Sequence, residues 1–321
     1  MQALRIVSLV LAGVLAGPAF AAGYPERTIT VIVPFPPGGA SDATARLLTA
    51  KLAERLAQTI VVDNRGGANG ALGAVAVKQA KADGYTLMVG SIGVFAINAA
   101  LFKDLRYHPA RDFAPITLAV TTPNVLVTKL DFPAKTVNEL LDQMRKNPGQ
   151  TSFGSSGTGS SDHLTYELFT QMTNTTGIHV PYKGGAAVVT DLLGGQVDAS
   201  FQNLGTVATQ IKAGKIRPLA VTARSRAAAL SDVPTMVEAG FPELVVTSWQ
   251  AAAAPAKTPR EVIVKLNDAA VKALRSPEIR DRLIGIGFDV VATSPEEFGQ
   301  FMNAEIDRWT KVVQRGGIKP D

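Results

Sequence analysis

The sequence predicts an α/β protein made of two lobes. Short runs rich in β-branched residues alternate with longer stretches of helical periodicity, which is typical of a mainly parallel sheet covered on both faces. The alternation occurs in two sets of roughly a hundred residues each, a size that suits a compact lobe. Two sets favour two lobes over one closed barrel, and we expect the helix-rich C-terminal tail to return to the first lobe.

The first set opens with an apolar run, TITVIVPF at residues 28–35, which predicts a buried strand. An amphipathic helix is predicted over residues 42–56, and a second helix over 71–81. Further strands are predicted at 59–63 and 86–90. Strand and helix therefore alternate throughout this part of the chain.

The second set repeats this order. Its predicted strands and helices, in chain order, lie at residues 125–129, 137–146, 151–154, 164–174, 178–182, 187–193, 197–202 and 216–223. In the tail, Thr258 and Pro259 predict a helix over 260–275, with Thr258 as the N-cap and Pro259 in the first helical position. Ser294 is the N-cap candidate of a last helix that begins at Pro295.

The first 21 residues have the pattern of a cleavable signal peptide. A weakly basic start is followed by an apolar run from Ile6 to Gly17, and Ala19-Phe20-Ala21 supplies a small-x-small cleavage site. The apolar run is shorter than the roughly 20 residues that span a bilayer, which favours a signal peptide over a membrane anchor. The sequence therefore predicts export from the cytoplasm.

Composition excludes several classes of function. The chain has no Cys, which rules out disulfides, thiolate nucleophiles and cysteine metal sites. Its net charge of +5 is spread along the chain instead of forming a basic stripe, which argues against a nucleic-acid partner. On charge alone, weak steering of an anionic ligand and a merely soluble basic surface remain equally open.

Glycine-rich loops follow nearly every strand of the two sets. They begin at Pro36, Asn64, Gly90, Gly154 and Tyr182. Ligands of open α/β sheets bind beyond the carboxyl ends of the strands. Loops in that position present unpaired N–H groups and the positive ends of helix dipoles. The sequence thus predicts a cleft lined by neutral donors that can hold an anion.

Catalytic and nucleotide-binding motifs are missing from these loops. The sequence contains neither GxxxxGK[ST] nor GxGxxG, and Ser91 falls one residue short of a GxSxG elbow. His108, His163 and His179 have no metal-ligand spacing. We therefore expect no enzyme activity, no cofactor and no metal. A secreted hydrolase using Ser91 or Ser156 remains a remote alternative.

Individual side chains in the loops have more than one interpretation. Asp42 and Asp162 are expected to cap their helices. His163 is either a ligand contact or a structural hydrogen-bonding group, and Tyr182 is expected to stack in the cleft or offer its hydroxyl. Lys183 is the single cation of the second set's loops, and a solvated head group is its plainer interpretation.

The chain resembles receptors of the tripartite tricarboxylate transporters, also called Bug receptors, over nearly its whole predicted mature length. The resemblance begins with Tyr24-Pro25-Glu26-Arg27 before VIVPFPPGGASDATAR and continues through VVDNRGGANG, DGYTLMVGS and FGSSGTGSSDHLTYELF. It then runs through HVPYKGGAAVVTDLLGGQVDASF, GKIRPLAVT, SDVPTMVEAGFPELVVTSW and GFDVVATSPEEF. Motifs of this length, in order along the chain, are specific.

The resemblance implies a type II periplasmic binding protein fold with two hinge crossings. The first lobe would comprise residues 24–123 together with 226–321, and the second would comprise 124–225. A periplasmic, monomeric receptor would capture a small carboxylate and deliver it to the membrane permease of a tripartite transporter. Presentation of the ligand to a membrane sensor kinase is the alternative that the sequence leaves open.

The resemblance also implies which residues meet the ligand. The first lobe would contribute Pro37, Gly38, Gly39, Ala40, Ser41, Asp42 and Ser91. The second would contribute Ser155, Ser156, Gly157, Gly159, Ser160, His163 and Tyr182. The chain departs from the family pattern at Ile92 and Phe95, where relatives often have Thr or Ser after the Gly-Ser of the third strand. These apolar residues would favour an aromatic or less polar acid.

Overall fold

The computed structural model describes residues 23–316 and residue 318, so the predicted signal peptide lies outside the described residues. The described chain forms these strands: β1 (Ile29–Val33), β2 (Ile60–Asn64), β3 (Thr86–Ser91), β4 (Phe113–Lys129), β5 (Ser152–Ser155), β6 (Ile178–Pro181), β7 (Ala199–Asn203), β8 (Ile216–Val221), β9 (Thr247–Pro255) and β10 (Asp289–Val290).

The helices of the same residues cover both faces of the sheets. They are α1 (Ala40–Leu56), α2 (Ala71–Lys78), α3 (Asn98–Leu101), α4 (Pro109–Asp112), α5 (Val137–Lys146), α6 (Ser161–Thr173), α7 (Gly185–Leu193), α8 (Leu204–Lys212), α9 (Arg260–Leu274), α10 (Pro277–Gly285) and α11 (Pro295–Gly316). A π-helical turn at Gly93–Ile97 precedes α3, and a 3₁₀ turn lies at Ala228–Leu230.

Strand β4 belongs to two sheets and joins them. The first sheet has the order β2-β1-β3-β9-β4, in which β2, β1 and β3 are parallel and β9 runs antiparallel to both of its neighbours. From Asn124 onward β4 pairs antiparallel with β7 and β8, and β5 lies parallel between β7 and β6. A single extended strand therefore links the two lobes.

Two apolar layers enclose the first sheet. Successive strand side chains point to opposite faces, so Val31 of β1 packs with Leu48 of α1 in one layer while Ile32 packs in the other. The second layer holds Phe95, Trp249 and Trp309 of α11. Both faces of the sheet are thus covered, which fixes its edge as the place where the loops meet solvent.

The second sheet is covered in the same way. One layer places α5 and α6 over Phe153 and Phe201, and the other places α7 and α8 over Val125 and Val127. Leu126 lies in the first of these layers, so alternate residues of β4 face opposite layers. The second lobe has the same three-layer build as the first.

The return from the second lobe to the first lies close to β9. Met236 and Leu244 pack in the second lobe's apolar layer, and Val246 N–H donates to Thr222 O at 3.0 Å. These contacts favour a boundary near residue 246 over the expected division at 225/226. The assignment of residues 24–123 plus 226–321 and 124–225 to two lobes stays a prediction.

The pattern of β-branched runs and helical periodicity found most elements, and two expectations need correction. The helix predicted at 137–146 agrees with α5 at both ends, and Ser294 caps α11 by accepting Glu297 N–H at 3.2 Å. The sheets are mixed instead of mainly parallel, because β4, β8 and β9 run antiparallel to their neighbours. Pro259, expected in the first helical position, is itself the N-cap of α9.

Among the described residues, six strands and helices had no sequence prediction, namely β9, β10, α3, α4, α8 and α10. Strand β9 is rich in Ala, which lacks the branched side chains that indicate a strand. Helices α8 and α10 also went unpredicted. Helix α8 begins at the residue that follows β7, so no loop marks its start. Strand β9 matters most, because it lies between β3 and β4 and so connects the parallel strands to the strand shared by both lobes.

Candidate ligand-binding cleft

A cleft of about 790 Å³, open mouth included, lies between the two lobes at the carboxyl ends of β1, β3 and β7. Its wall is made of short polar side chains, glycines and a few apolar groups. The lining residues are Phe35, Pro36, Pro37, Gly39, Ala40, Ser41, Asn69, Ser91, Ile92, Ser156, Ser160, Ser161, Asp162, Lys183, Gly184, Gly185, Ala186, Ala187, Asn203, Thr206, Ser248 and Gln250.

The first-lobe loop is held in shape by Asp42. Its carboxylate accepts Gly38 N–H at 3.0 Å, Arg46 Nε at 2.9 Å and Asn64 Nδ2 at 3.0 Å. Gly38 has φ +87°, a conformation that residues with a side chain rarely adopt. Asp42 therefore fastens the loop instead of capping α1, whose N-cap Gly39 makes no side-chain cap.

The same contacts set the charge state of Asp42. Burial alone would raise the pKa of its carboxyl group. Hydrogen bonds from Arg46, Gly38 N–H and Asn64 outweigh the burial and hold this pKa below its ordinary value. Asp42 is thus ionised at neutral pH, and its charged oxygens accept the hydrogen bonds that hold the loop.

The second-lobe loop is fastened by an equivalent aspartate. Asp162 accepts Ser156 N–H at 2.8 Å, Ser156 Oγ at 2.7 Å and Gln202 Nε2 at 2.7 Å. The N-cap of α6 is Ser160, which accepts His163 N–H at 3.3 Å. The expectation that Asp162 caps its helix is therefore wrong, because Ser160 occupies that role and Asp162 reaches back to the loop.

His163 lies behind the loop and supports it. Its side chain is buried, and Nδ1 accepts Gly159 N–H at 3.1 Å. The ring stacks on His179 with centroids 4.1 Å apart, and His179 Nε2 shares a 2.7 Å hydrogen bond with Ser155 Oγ. These contacts favour the structural interpretation of His163.

Helix α7 opens onto the cleft from the second lobe. Its N-cap Gly184 has φ +139° and offers no side-chain cap, so the first N–H groups of α7 face the wall without a side-chain partner. Tyr182, just before it, donates its hydroxyl to Asp191 at 2.6 Å. Burial and Asp191 raise the pKa of Tyr182 to about 12, so the phenol stays protonated.

The two lobes touch where these helices begin. A Cβ atom built on Gly38 would stand 3.2 Å from the Cβ of Ala186, and one on Gly184 would stand 3.4 Å from Pro36 Cδ. Two uncapped helix starts, those of α1 and α7, therefore approach each other from opposite lobes. Each carries the positive end of a helix dipole.

The predicted site residues divide into two groups in the structure. Those on the cleft wall are Pro37, Gly39, Ala40, Ser41, Ser91, Ser156 and Ser160. Those that lie off the wall and within the loops or behind them are Gly38, Asp42, Ser155, Gly157, Gly159, His163 and Tyr182. Whether any of them contacts a ligand stays a prediction.

Sequence reasoning missed several wall residues. Asn69 follows β2 in a glycine-rich loop, so the rule that found the other loops could have found it. Ser248 and Gln250 had no such signal, because they belong to β9, which enters the site from the opposite direction. The chain departs from the family pattern with two apolar residues, Ile92 and Phe95. Ile92 lines the cleft. Phe95 is buried in the core against Trp249, so it does not influence the polarity of the ligand site.

Ionisable groups are few on the wall. Among the described residues, the lining contains one cation, Lys183, and one carboxylate, Asp162, and no cluster of His, Cys, Asp or Glu suits a metal ion. No helix of the described residues is long and apolar enough to span a membrane.

Two α/β lobes joined by a shared strand, with a donor-lined cleft between them, define a type II periplasmic binding protein fold. Comparison with known proteins identifies the family. Residues 44–318 match the model of the tripartite tricarboxylate transporter family receptor. The chain belongs to this family of periplasmic solute-binding receptors.

Individual relatives agree with this membership. The chain is 37% identical to Protein BugT of Bordetella pertussis over 306 residues, which cover 95% of this chain and 94% of that protein. It superposes with TM-score 0.90 on R. palustris Rpa4515 with adipate, at 38% identity, covering 93% of this chain and 100% of the other. It superposes with TM-score 0.87 on MatC from Rhodopseudomonas palustris with bound malate, at 34% identity, covering 90% of this chain and 100% of the other.

Proposed function

We propose that this chain captures a small carboxylic acid in the periplasm and delivers it to the membrane subunits of a tripartite transporter. One observation supports a carboxylate as the ligand: the uncapped starts of α1 and α7 converge from opposite lobes. Two positive dipole ends repel each other, and an anion placed between them attracts both. The adipate and malate bound by two solved relatives support the same class of ligand.

Closure of the lobes follows from this arrangement. Without an anion, the two helix starts favour an open cleft. A carboxylate has two oxygens, and each can accept N–H groups from one lobe. Binding therefore favours the conformation in which the lobes touch, which is a shift of population towards a closed state.

Lys183 adds a second positive element on the second lobe. Its side chain is exposed and belongs to the cleft wall beside Gly184. We infer that its charge accelerates the approach of anions and adds modestly to affinity, because exposed charges are screened by salt. Lys183→Gln should weaken acid binding at low ionic strength, and Lys215→Gln, an exposed lysine outside the wall, is the matched control.

A thermal-shift screen tests the proposed ligand class. The mature chain is incubated with mono- and dicarboxylates, amino acids and neutral sugars. A true ligand at a hundredfold excess over Kd stabilises the protein by about 2.7 kcal/mol. Stabilisation by carboxylates supports the proposal, and stabilisation by neutral sugars alone would contradict it.

Delivery to a transporter needs a separate test. The receptor is cross-linked to membranes of the source organism, with and without the acid identified above. Capture of permease subunits that depends on the acid supports delivery. Capture of a sensor kinase instead would assign the loaded receptor to signalling.

A further inference from the structure

A group of neutral polar side chains forms part of the first-lobe wall of the cleft, and we call it the neutral floor. Its members are Ser41, Asn69, Ser91, Ser248 and Gln250. None of them carries a charge at neutral pH, and they come from four separate segments. The two helix starts that favour an anion contribute only Ser41 to this group.

Two side chains of the neutral floor are buried with polar atoms unpaired. Gln250 is 0% exposed and its Nε2 has no partner; Ser248 is 1% exposed and its Oγ has no partner. Leaving a buried donor unpaired destabilises a folded protein, so such groups are normally satisfied by a ligand or by water. Both residues line the cleft, so its contents can supply the missing partners.

The geometry of β9 directs these two residues to the cleft. Residues two apart on a strand point to the same face, so Ser248 and Gln250 share one face while Trp249 enters the core on the other. Gln250 is paired with Ser91 across the strands, and its Oε1 accepts Ser41 Oγ at 2.6 Å. This bond uses the amide oxygen and leaves Nε2 free to donate.

Asn69 presents an acceptor in a fixed orientation. Tyr107 donates its hydroxyl to Val94 O at 2.7 Å, and Asn98 Nδ2 donates to the Tyr107 hydroxyl and to the backbone O of Asn69, each at 3.0 Å. Asn98 Oδ1 must therefore accept, and Asn69 Nδ2 donates to it at 2.8 Å. The remaining atom, Asn69 Oδ1, is unpaired and accepts only.

On the second-lobe wall, by contrast, polar side chains have hydrogen-bond partners within the protein. Ser156 Oγ donates to Asp162, Ser161 Oγ donates to Asn124, and Asn203 Nδ2 donates to Asn124. These side chains are satisfied within the protein. On the cleft wall, as far as the structure describes it, the buried unpaired side-chain atoms all belong to the neutral floor.

We propose that the neutral floor binds a hydroxyl group of the ligand, so that the receptor selects hydroxy acids over the same acids without the hydroxyl. This rests on the proposed function, because it assumes that a carboxylate occupies the helix starts. A hydroxyl both donates and accepts, so it can pair with Asn69 Oδ1, with Gln250 Nε2 or with Ser248 Oγ. A second carboxylate only accepts, an ammonium only donates, and a hydrocarbon does neither.

The test is a set of matched ligands combined with matched variants. Calorimetric titration compares lactate with propionate, 3-hydroxybutyrate with butyrate, and malate with succinate. We expect the hydroxy member of at least one pair to bind roughly tenfold more tightly, equal to about 1.4 kcal/mol. In Ser248→Ala or Gln250→Leu this preference should disappear, because the hydroxy acid loses more affinity than the plain acid.

The control is Thr128→Val. Thr128 has a fully buried hydroxyl without a partner, like Ser248, but lies on β4 outside the cleft wall. The Thr128→Val variant should keep the preference for hydroxy acids. Equal affinity within every pair in the unmodified chain would overturn the proposal, as would equal weakening of both members by the floor variants. If no acid binds to a chain shown by thermal unfolding to be folded, the proposed function itself fails, and this inference with it.

Discussion

Gly38 of the first lobe faces Ala186 of the second across the cleft, so closely that a Cβ built on Gly38 would stand 3.2 Å from the Cβ of Ala186. Gly38 precedes α1 and Ala186 is in the first turn of α7. The absence of a side chain at Gly38 therefore allows the two helix starts to approach closely. The ligand-binding arrangement depends on this approach.

Gly38→Ala should weaken ligand binding more than it weakens folding. The positive φ of Gly38 makes any Cβ unfavourable by about 1–2 kcal/mol in unfolding free energy. The contact with Ala186 adds a penalty that exists only when the lobes touch, so we expect a further loss of roughly tenfold in affinity. Gly240→Ala is the control, because Gly240 has φ +96° with open space around it. Equal affinity in both variants would refute the role of the contact.

Asp42→Asn should remove a pH-dependent contribution to stability. The folded pKa of Asp42 lies below its ordinary value of 3.8, so the ionised carboxylate stabilises the fold above that value. This contribution is lost as the pH falls through the folded pKa. Urea unfolding at several pH values should show the unmodified chain as the more stable at pH 7, with the difference shrinking below about pH 4. A difference that stays constant down to pH 2 would count against this account.

His163→Phe should loosen the second-lobe loop. The phenyl ring can still stack on His179, but Gly159 N–H loses its acceptor, which typically destabilises a protein by about 1–3 kcal/mol. His163→Asn places an oxygen near the position of Nδ1 and should recover part of the loss. Denaturant unfolding and calorimetric affinity measure both effects. A phenylalanine variant as stable as the unmodified chain would show that this bond is dispensable.

Glu305→Leu should destabilise the first lobe and leave the cleft intact. Glu305 Oε2 accepts Trp249 Nε1 at 3.0 Å and Trp309 Nε1 at 3.1 Å, which ties α11 to β9. Two buried indole N–H groups would lose their acceptor, and we expect a loss of about 3 kcal/mol in unfolding free energy. Glu296→Leu on the same helix removes an exposed, solvent-screened ion pair with Arg260 and should change stability much less than Glu305→Leu. Similar losses in both variants would contradict the buried bridge.

The local parts of the candidate site could be predicted from the sequence. Glycine-rich segments after β1 and β5 are local features, because short-range turn and helix-start preferences depend on neighbouring residues. Their place at the carboxyl ends of strands followed from strand–helix order alone. The loops that hold the wall residues Ser41, Ser91, Ser156 and Ser160 were found in this way, and the family resemblance pointed to the residues themselves.

Other parts depend on contacts between residues far apart in the chain. His163 and His179 stack because α6 and β6 pack together, and this decides that His163 supports the loop. Phe95 was expected to influence the ligand, yet the turn after β3 rotates it into the core against Trp249. Neither outcome is encoded in local periodicity.

The sequence by itself determined the two-set α/β order, the donor-rich loops and the family. These follow from residue types and their spacing over short stretches. Only the tertiary structure decided that β4 runs through both lobes and that β9 enters the first sheet antiparallel, which brings Ser248 and Gln250 to the cleft. The physical reason is that strand pairing is set by packing between distant segments, and an alanine-rich strand carries no local mark of its partner.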